Sequence, residues 1–192
     1  MEIPWALRNA VAPVLDVGCA ESPYLQDLPS PVDGIDVRPG RSSGLRHEFL
    51  GDIRDTKFQE KYSTVLAIST LEHVGMEHGP YGTHDDEVEG GDQTALIACY
   101  DAVNRGGRLL ISVPFGAPRD YGWFRQYDLA GLEKLCGPLF FTAEIWVGED
   151  GSEWRELDNL DDVEYVEQLE YNFDAGSARA VALIVIEKPS ET

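Results

Sequence analysis

The stretch VLDVGCAESPYL, residues 14–25, decides the fold of this chain. It begins with the apolar pair Val14 and Leu15, passes through Asp16 and enters a Gly-Cys-Ala turn. The following Ser22-Pro23 has the pattern of a helix cap and a first helical residue. This order predicts a buried strand, a tight turn and a helix start, which together make a nucleotide-binding βα turn. The turn carries an acid and lacks the usual glycines, so the ligand must be argued from other residues.

The charge of the whole chain limits its partners. The 192 residues suit one domain, and their formal net charge is −20. Such a charge argues against a broad basic face, so we expect no nucleic-acid and no membrane partner. No apolar stretch reaches the ~20 residues of a membrane span, and no signal peptide is evident. Three distant cysteines without a Cys-x-x-Cys pair predict buried thiols in a reducing cytoplasm.

Strands and helices alternate along the chain, which predicts a doubly wound α/β sheet of the Rossmann-like type. Strands are expected at residues 14–17, 32–37, 47–50, 62–69, 108–113, 139–147 and 178–187. Helices are expected at residues 2–10, 24–28, 93–104 and 129–135. The last two strands lack a clear helix between them and predict an antiparallel pair at one edge. A loop insertion at about 74–92 and an acidic segment at about 148–177 interrupt the alternation, and residues 161–170 can be a helix or an outer strand.

The turn after the first strand does not match a phosphate-binding motif. Gly18, Ala20 and Pro23 stand where a dinucleotide fold has three glycines, and no P-loop Gly-Lys-Ser/Thr follows. Asp16 would repel a phosphate. A cationic ligand such as S-adenosylmethionine, which carries a sulfonium and an ammonium, suits the carboxylate better.

Two further acids follow the next two strands. Asp36 ends the second strand, where a carboxylate can accept both hydroxyls of a ribose. Asp52 follows the third strand and can accept from an adenine amino group, while Val37 and Ile53 sandwich the ring. The alternative for Asp16 and Asp36 is a turn or capping role.

Five segments in this order resemble the motifs of class I S-adenosylmethionine-dependent methyltransferases, of the small-molecule, methyltransferase-11-like kind: VLDVGC (14–19), GIDV (34–37), GDI (51–53), STLEHVG (69–75) and GGRLLISVPFG (106–116). The resemblance implies a seven-stranded sheet with the last strand antiparallel, and S-adenosyl-L-methionine as cofactor. Ala20 and Ser22 depart from the family's glycine-rich loop. The cofactor-binding residues that we expect are Asp16, Gly18, Ala20, Asp36, Val37, Asp52, Ile53 and Ser69.

Ligands of open α/β sheets bind beyond the carboxyl ends of the strands, so the chemistry is expected just after the fourth strand. His73 is the candidate general base there, and Glu72 can orient it or bind the cofactor. The alternative for His73 is a packing or capping role at a helix start.

A divalent metal is a further alternative, because some class I O-methyltransferases bind one through an E-x-x-E-H motif. Ser69 replaces the first glutamate of that motif here. The loop that follows could complete a metal site or form a solvated acidic lid, and we expect the lid and no metal. Its candidate ligands are Glu77, His78, His84, Asp85, Asp86, Glu87, Glu89 and Asp92.

An aromatic and basic cluster after the fifth strand is the candidate acceptor pocket. Trp123, Arg125 and Tyr127 are expected to bind substrate, although the aromatic rings can equally fill the core and Asp128 can cap a helix. Trp154 and Arg155 could close over the site. We expect a cytoplasmic O-methyltransferase for a small-molecule hydroxyl, acting as a monomer or homodimer. A non-catalytic cofactor- or partner-binding protein and an aminopropyl-type transferase are the alternatives.

Overall fold

The computed structural model describes residues 1–41, 43–76, 88–148, 153–159 and 162–190. The strands of these ranges are Val14–Val17 (β1), Val32–Asp36 (β2), His47–Leu50 (β3), Tyr62–Ile68 (β4), Val103–Phe115 (β5), Arg119–Asp120 (β6), Arg125–Gln126 (β7), Thr142–Val147 (β8), Arg155–Glu156 (β9) and Ala180–Glu187 (β10). The α-helices are Glu2–Asn9 (α1), Gly91–Ala102 (α2), Leu129–Cys136 (α3) and Val163–Val166 (α4).

Eight of these strands form one sheet in the order β3-β2-β1-β4-β5-β10-β8-β9. Neighbouring strands from β3 to β5 pair in parallel, whereas β10 is antiparallel to both β5 and β8. The predicted Rossmann-like sheet and its antiparallel last strand are therefore confirmed. The predicted count of seven is exceeded by β9, a two-residue strand that pairs with the end of β8. Strands β6 and β7 form a separate hairpin.

Apolar side chains cover both faces of the sheet, so the sheet lies in the middle of the fold. Strand β4 buries Val65, Leu66 and Ala67 completely, because layers cover it on both sides. The larger cluster includes residues of α2 and α3, and the smaller one centres on Trp5 of α1 with Leu66 and Leu110. Within the described ranges, no helix is both long and apolar enough to cross a lipid bilayer.

The first crossovers contain little helix. The helix start predicted at Ser22-Pro23 is wrong, because Ser22 follows a three-residue 3-10 helix, Cys19–Glu21, and turns its hydroxyl towards Asp16. A second 3-10 helix, Leu25–Asp27, stands where the helix 24–28 was expected. Two prolines follow it closely in the sequence and prevent a longer helix.

Two later boundaries also differ from the prediction. Helix α2 ends at Ala102, and β5 begins at once at Val103, five residues before the predicted strand. The acidic stretch predicted as a helix or an outer strand contains the one-turn helix α4. The helical alternative is thus the correct one for its described part.

Candidate functional site

A cavity of about 280 Å³ opens where β1, β2 and β4 end. Its walls contain seven of the residues that the sequence predicted for the site: Gly18, Asp36, Val37, Asp52, Ile53, Ser69 and His73. The other six predicted residues lie outside its lining: Asp16, Ala20, Glu72, Trp123, Arg125 and Tyr127. Because parallel strands end at the same edge of the sheet, they bring seven of the thirteen predicted residues to one cavity.

Gly18 lets the turn after β1 lie flush against the segment that follows β4. Its φ of 85° falls in the left-handed region, and a Cβ there would lie 2.5 Å from the hydroxyl oxygen of Thr70. That hydroxyl shares its proton between the carbonyl oxygens of Val17 at 3.1 Å and Ile68 at 3.0 Å, which links the two segments. A side chain at position 18 would therefore disturb both the backbone and the cavity floor.

Asp36 is held in the cavity wall by two backbone N–H groups. Its Oδ2 accepts from the backbone N–H of Ala20 and its Oδ1 from that of Arg38, both at 2.9 Å. Ala20 therefore lies behind Asp36 and orients it through the backbone. Ala20 is not among the described residues with positive φ, so alanine stands at this position without left-handed strain.

Asp16 lies behind the cavity wall and is not part of its lining. Its side chain is fully buried, and its two oxygens accept from the hydroxyls of Ser22 at 2.6 Å and Tyr24 at 2.9 Å. Burial raises the pKa of Asp16 to about 6, although both hydrogen bonds oppose the shift. Direct contact between Asp16 and a ligand ammonium stays a prediction; in this structure the acid anchors two residues of the cavity wall.

Asp52 is paired with Arg54 at the other end of the cavity. Arg54 donates to both oxygens, with Nη2 at 2.6 Å from Oδ2 and Nε at 3.0 Å from Oδ1. Burial alone would raise the pKa of Asp52, but the hydrogen bonds from Arg54 outweigh it and hold the pKa below its usual value. The buried Ile53 and the half-exposed Val37 supply apolar surface to the same wall.

His73 occupies the end of the cavity beyond β4, in a 3-10 helix of residues Leu71–His73. Its Nδ1 lies 2.8 Å from the carbonyl oxygen of Trp123, and its ring stacks on the Trp123 indole with centroids 5.3 Å apart. Because a carbonyl only accepts, Nδ1 carries the proton and the neutral ring has its lone pair on Nε2. Burial lowers the pKa of His73, and the Trp123 carbonyl opposes that shift.

Glu72 is buried next to His73. Its Oε1 lies 3.9 Å from His73 Nε2, and no described group makes a hydrogen bond with its Oε2. Burial raises the pKa of Glu72 well above its ordinary value, and the neighbouring charge of Glu2 adds to the shift. A protonated carboxyl is therefore favoured here.

The three predicted acceptor residues occupy different environments. Trp123 stacks on His73, whereas Arg125 donates to the carbonyl of Val74 at 2.9 Å, and the hydroxyl of the buried Tyr127 donates to Asp92 at 2.9 Å. These contacts connect the β6–β7 hairpin with the segment after β4 and with α2. A second, open cavity of about 650 Å³ has Arg125 and Tyr127 in its wall.

The alternatives for the neighbouring residues can also be placed. Asp128 caps α3 by accepting from the backbone N–H of Gly131 at 2.6 Å, as the capping alternative predicted. Trp154 packs against the smaller apolar cluster, and Arg155 is exposed in β9; neither lines the cavity next to His73. Among the described residues, no three acids, histidines or cysteines are grouped as a metal site would require. The metal alternative rested mostly on residues outside the described ranges: Glu77, His78, His84, Asp85, Asp86 and Glu87.

The sequence reasoning missed several polar residues that shape the cavity. Ser22 and Tyr24 hold Asp16, Arg54 holds Asp52, and Glu2 reaches Ser69 at the end of β4. The spacing of two residues between Asp52 and Arg54 could have indicated their pair. No local pattern connects Glu2 with Ser69, because 67 residues separate them.

Several solved structures have similar folds at low sequence identity to this chain. The N-methyltransferase NodS from Bradyrhizobium japonicum is 14% identical, with a TM-score of 0.60 over 96% of this chain and 90% of NodS. The 1,6-didemethyltoxoflavin-N1-methyltransferase from Burkholderia thailandensis, solved with 1,6-didemethyltoxoflavin and S-adenosylhomocysteine, is 15% identical, with a TM-score of 0.57 over 91% of this chain and 70% of the enzyme. A SAM-dependent methyltransferase from Archaeoglobus fulgidus is 13% identical, with a TM-score of 0.57 over 91% and 85% of the two chains. No family model and no curated protein matches the sequence.

Proposed function

We propose that this chain, which has the fold of the class I S-adenosylmethionine-dependent methyltransferases, binds S-adenosyl-L-methionine and transfers its methyl group to a small-molecule acceptor. The observation that carries the proposal is the position of Asp36. Its carboxylate ends β2 in the cavity wall, and two backbone N–H groups fix its orientation while lone pairs remain for further donors. A ribose offers two hydroxyl donors to such a group.

The other cavity residues fit an adenosine ligand without phosphates. Ile53 and Val37 provide apolar surface for a flat ring, and Gly18 removes the side chain that would fill the floor. Asp36 and Asp52 place two carboxylates along the wall, and an arginine stands beside each, Arg38 at 3.8 Å and Arg54 at 2.6 Å. The carboxylate oxygens serve there as acceptors for the hydroxyl and amino groups of an adenosine. When bound, the cofactor supplies a methyl carbon already activated by its sulfonium.

His73 is the group that we assign to proton removal from the acceptor. Its Nδ1–H is held by the Trp123 carbonyl, so Nε2 is the nitrogen that can take a proton. Its lowered pKa keeps the ring neutral, and therefore basic, at neutral pH. Positioning of the acceptor can contribute up to ~7–11 kcal/mol, and a general base adds about 10²–10⁴-fold.

The acceptor that suits this arrangement best is a small molecule with a hydroxyl group. A hydroxyl is a weak nucleophile until it loses its proton, so a neutral histidine beyond β4 has a defined task there. The Trp123 ring, stacked on His73, offers a flat surface against which an acceptor ring can lie. The three cysteines are buried and free, which is consistent with the proposed cytoplasmic location.

Calorimetry with S-adenosylhomocysteine tests the binding half of the proposal. We expect binding by the wild-type protein and a loss of ~1–3 kcal/mol in Asp36→Ala, because a charged hydrogen-bond partner is removed. Asp27→Ala, which removes an exposed acid outside the cavity lining, is the matched control. A wild-type protein that binds neither S-adenosylmethionine nor S-adenosylhomocysteine would refute the proposal.

Turnover is measured as S-adenosylhomocysteine formed from S-adenosylmethionine with a panel of phenols, sugars and amines. Product formation with a hydroxyl acceptor is the expected result. Turnover confined to amines would overturn the hydroxyl assignment and leave methyl transfer intact. Binding without turnover across the whole panel would instead favour the non-catalytic alternative.

A further inference from the structure

A carboxylate from the N-terminal helix contacts Ser69, a residue of the cavity wall just after β4. The hydroxyl of Ser69 donates to Glu2 Oε1 at 2.8 Å, and that of Ser112 donates to the same oxygen at 2.6 Å. Ser69 lines the cavity and Ser112 lies on the adjacent strand β5. Glu2 is thus held next to the cavity by groups from two neighbouring strands.

The backbone at Ser69 is adapted to this contact. Ser69 has a φ of 47°, and among the described residues it is the one non-glycine residue with positive φ. Its N–H donates to the side-chain oxygen of Ser112 at 3.0 Å, which closes a small network of two serines and one glutamate. A left-handed backbone conformation at a serine costs free energy, so it persists only where surrounding contacts stabilise it. Such residues are concentrated at functional sites.

Helix α1 presents Glu2 from a rigid support. Trp5 and Ala6 are buried in the smaller apolar cluster, so the first turn of the helix is fixed against the sheet. The charge of Glu2 also acts on Tyr24, another residue of the cavity wall. Glu2 therefore lies between the turn after β1 and the segment after β4, at one end of the cavity.

One oxygen of Glu2 remains able to receive a ligand. Both serine hydroxyls donate to Oε1, so within the described residues Oε2 is the oxygen that can accept from a bound cation. Asp16, the acid expected from the sequence to serve a ligand ammonium, is fully buried and accepts one hydroxyl on each of its oxygens, whereas Glu2 is only partly buried and accepts both of its hydroxyls on Oε1. A cationic group beside Ser69 thus has in Glu2 an acid with an available oxygen. The buried Glu72 also has an oxygen without a described donor, but burial raises its pKa and favours its protonated form.

We propose that Glu2 binds the ammonium group of the cofactor's amino-acid part and so selects ligands that carry it. This inference rests on the proposed function, because it assumes that S-adenosylmethionine and its product occupy the cavity. An amine-containing acceptor would offer the same chemistry, and the experiment separates the two sources.

The test compares two ligands that differ in the amino-acid part. S-Adenosylhomocysteine carries the ammonium, whereas 5′-methylthioadenosine keeps the adenosine and thioether without it. In Glu2→Gln we expect affinity for S-adenosylhomocysteine to fall about five- to twentyfold, as for a lost charged hydrogen bond, and affinity for 5′-methylthioadenosine to stay unchanged. Glu164→Gln removes one exposed negative charge from α4 and is the matched control.

The remaining outcomes are distinct. If wild-type protein binds neither ligand, the proposed function itself fails. If wild-type protein binds S-adenosylhomocysteine and Glu2→Gln binds it equally well, the ammonium contact is refuted, and a raised KM for amine acceptors alone would assign Glu2 to the acceptor. An equal loss of affinity for both ligands would show that Glu2 acts only by holding α1 against the sheet. Thermal unfolding of Glu2→Gln verifies that the helix remains in place.

Discussion

The two ends of the cavity are assembled in different ways. At the end formed by β1, β2 and β3, the acids are fixed by partners close in sequence: Ala20 is 16 residues from Asp36, and Arg54 is two residues from Asp52. At the end beyond β4, the partners are remote. His73 meets Trp123 across 50 residues, and Ser112 meets Glu2 across 110. The first end can be read from local patterns, whereas the second exists only in the folded chain.

The largest effect is expected for a variant that removes the proposed base, because it should lower kcat without changing cofactor binding at the other end of the cavity. In His73→Asn, the side-chain amide can still donate to the Trp123 carbonyl, but no ring nitrogen remains to take a proton. We expect kcat to fall about 10²–10⁴-fold while S-adenosylhomocysteine affinity stays unchanged. Steady-state kinetics and calorimetry on the same preparation measure the two quantities.

The wild-type pH profile provides the accompanying check. With His73 as the proposed base and its pKa lowered by burial, kcat/KM should rise with pH below the ordinary pKa of histidine and be level by pH 7. A variant that keeps wild-type kcat would assign His73 to packing. A loss of cofactor affinity equal to the loss of kcat would show that the two ends are not independent.

Much of the fold and half of the candidate site could be predicted because their signals are local. The apolar runs of β1 and β4 and the acid at the end of β2 are visible over a few residues. The sequence predicts a ligand contact for Asp16, but it does not show that Ser22 and Tyr24 turn their hydroxyls towards this acid. The contact between Glu2 and Ser69 depends on α1 lying across β4 and β5, which is decided by packing.

A smaller effect is expected on the free energy of unfolding, and it comes from Asp16 at the end of the cavity formed by β1, β2 and β3. The pKa of Asp16 is raised to about 6 by burial, so between its unfolded value and 6 the folded protein binds more protons than the unfolded chain. The stabilisation by the protonated acid is complete below pH 3.8 and is lost as pH rises through about 6. Relative to Asp16→Asn, the wild-type free energy of unfolding should therefore fall by about 2 kcal/mol between pH 4 and pH 7.

Denaturant unfolding at several pH values measures this difference. Asp27→Asn, which removes an exposed acid near the same turn, corrects for the loss of one negative charge from a strongly acidic chain. Parallel stability curves for wild type and Asp16→Asn would mean that Asp16 is ionised without cost. Asp16 would then be a better candidate for a ligand cation than its burial implies.

The smallest effect is expected from Trp123, whose ring contacts His73 at the end of the cavity beyond β4. Trp123→Leu removes the ring that stacks on His73 but keeps the backbone carbonyl that holds Nδ1. Loss of an aromatic contact worth about 0.5–1.5 kcal/mol should lower kcat about two- to twelvefold. Because water then reaches the imidazole, the pKa of His73 should rise, and the acidic limb of the pH profile should move to higher pH. Phe173→Leu changes an exposed ring on the far side of the same aromatic cluster and should leave that limb in place. If the acidic limb of the pH profile stays in place in Trp123→Leu, the backbone carbonyl of residue 123 and the other groups around His73 are enough to set the pKa of the imidazole. The indole would then contribute only to the surface that contacts the acceptor.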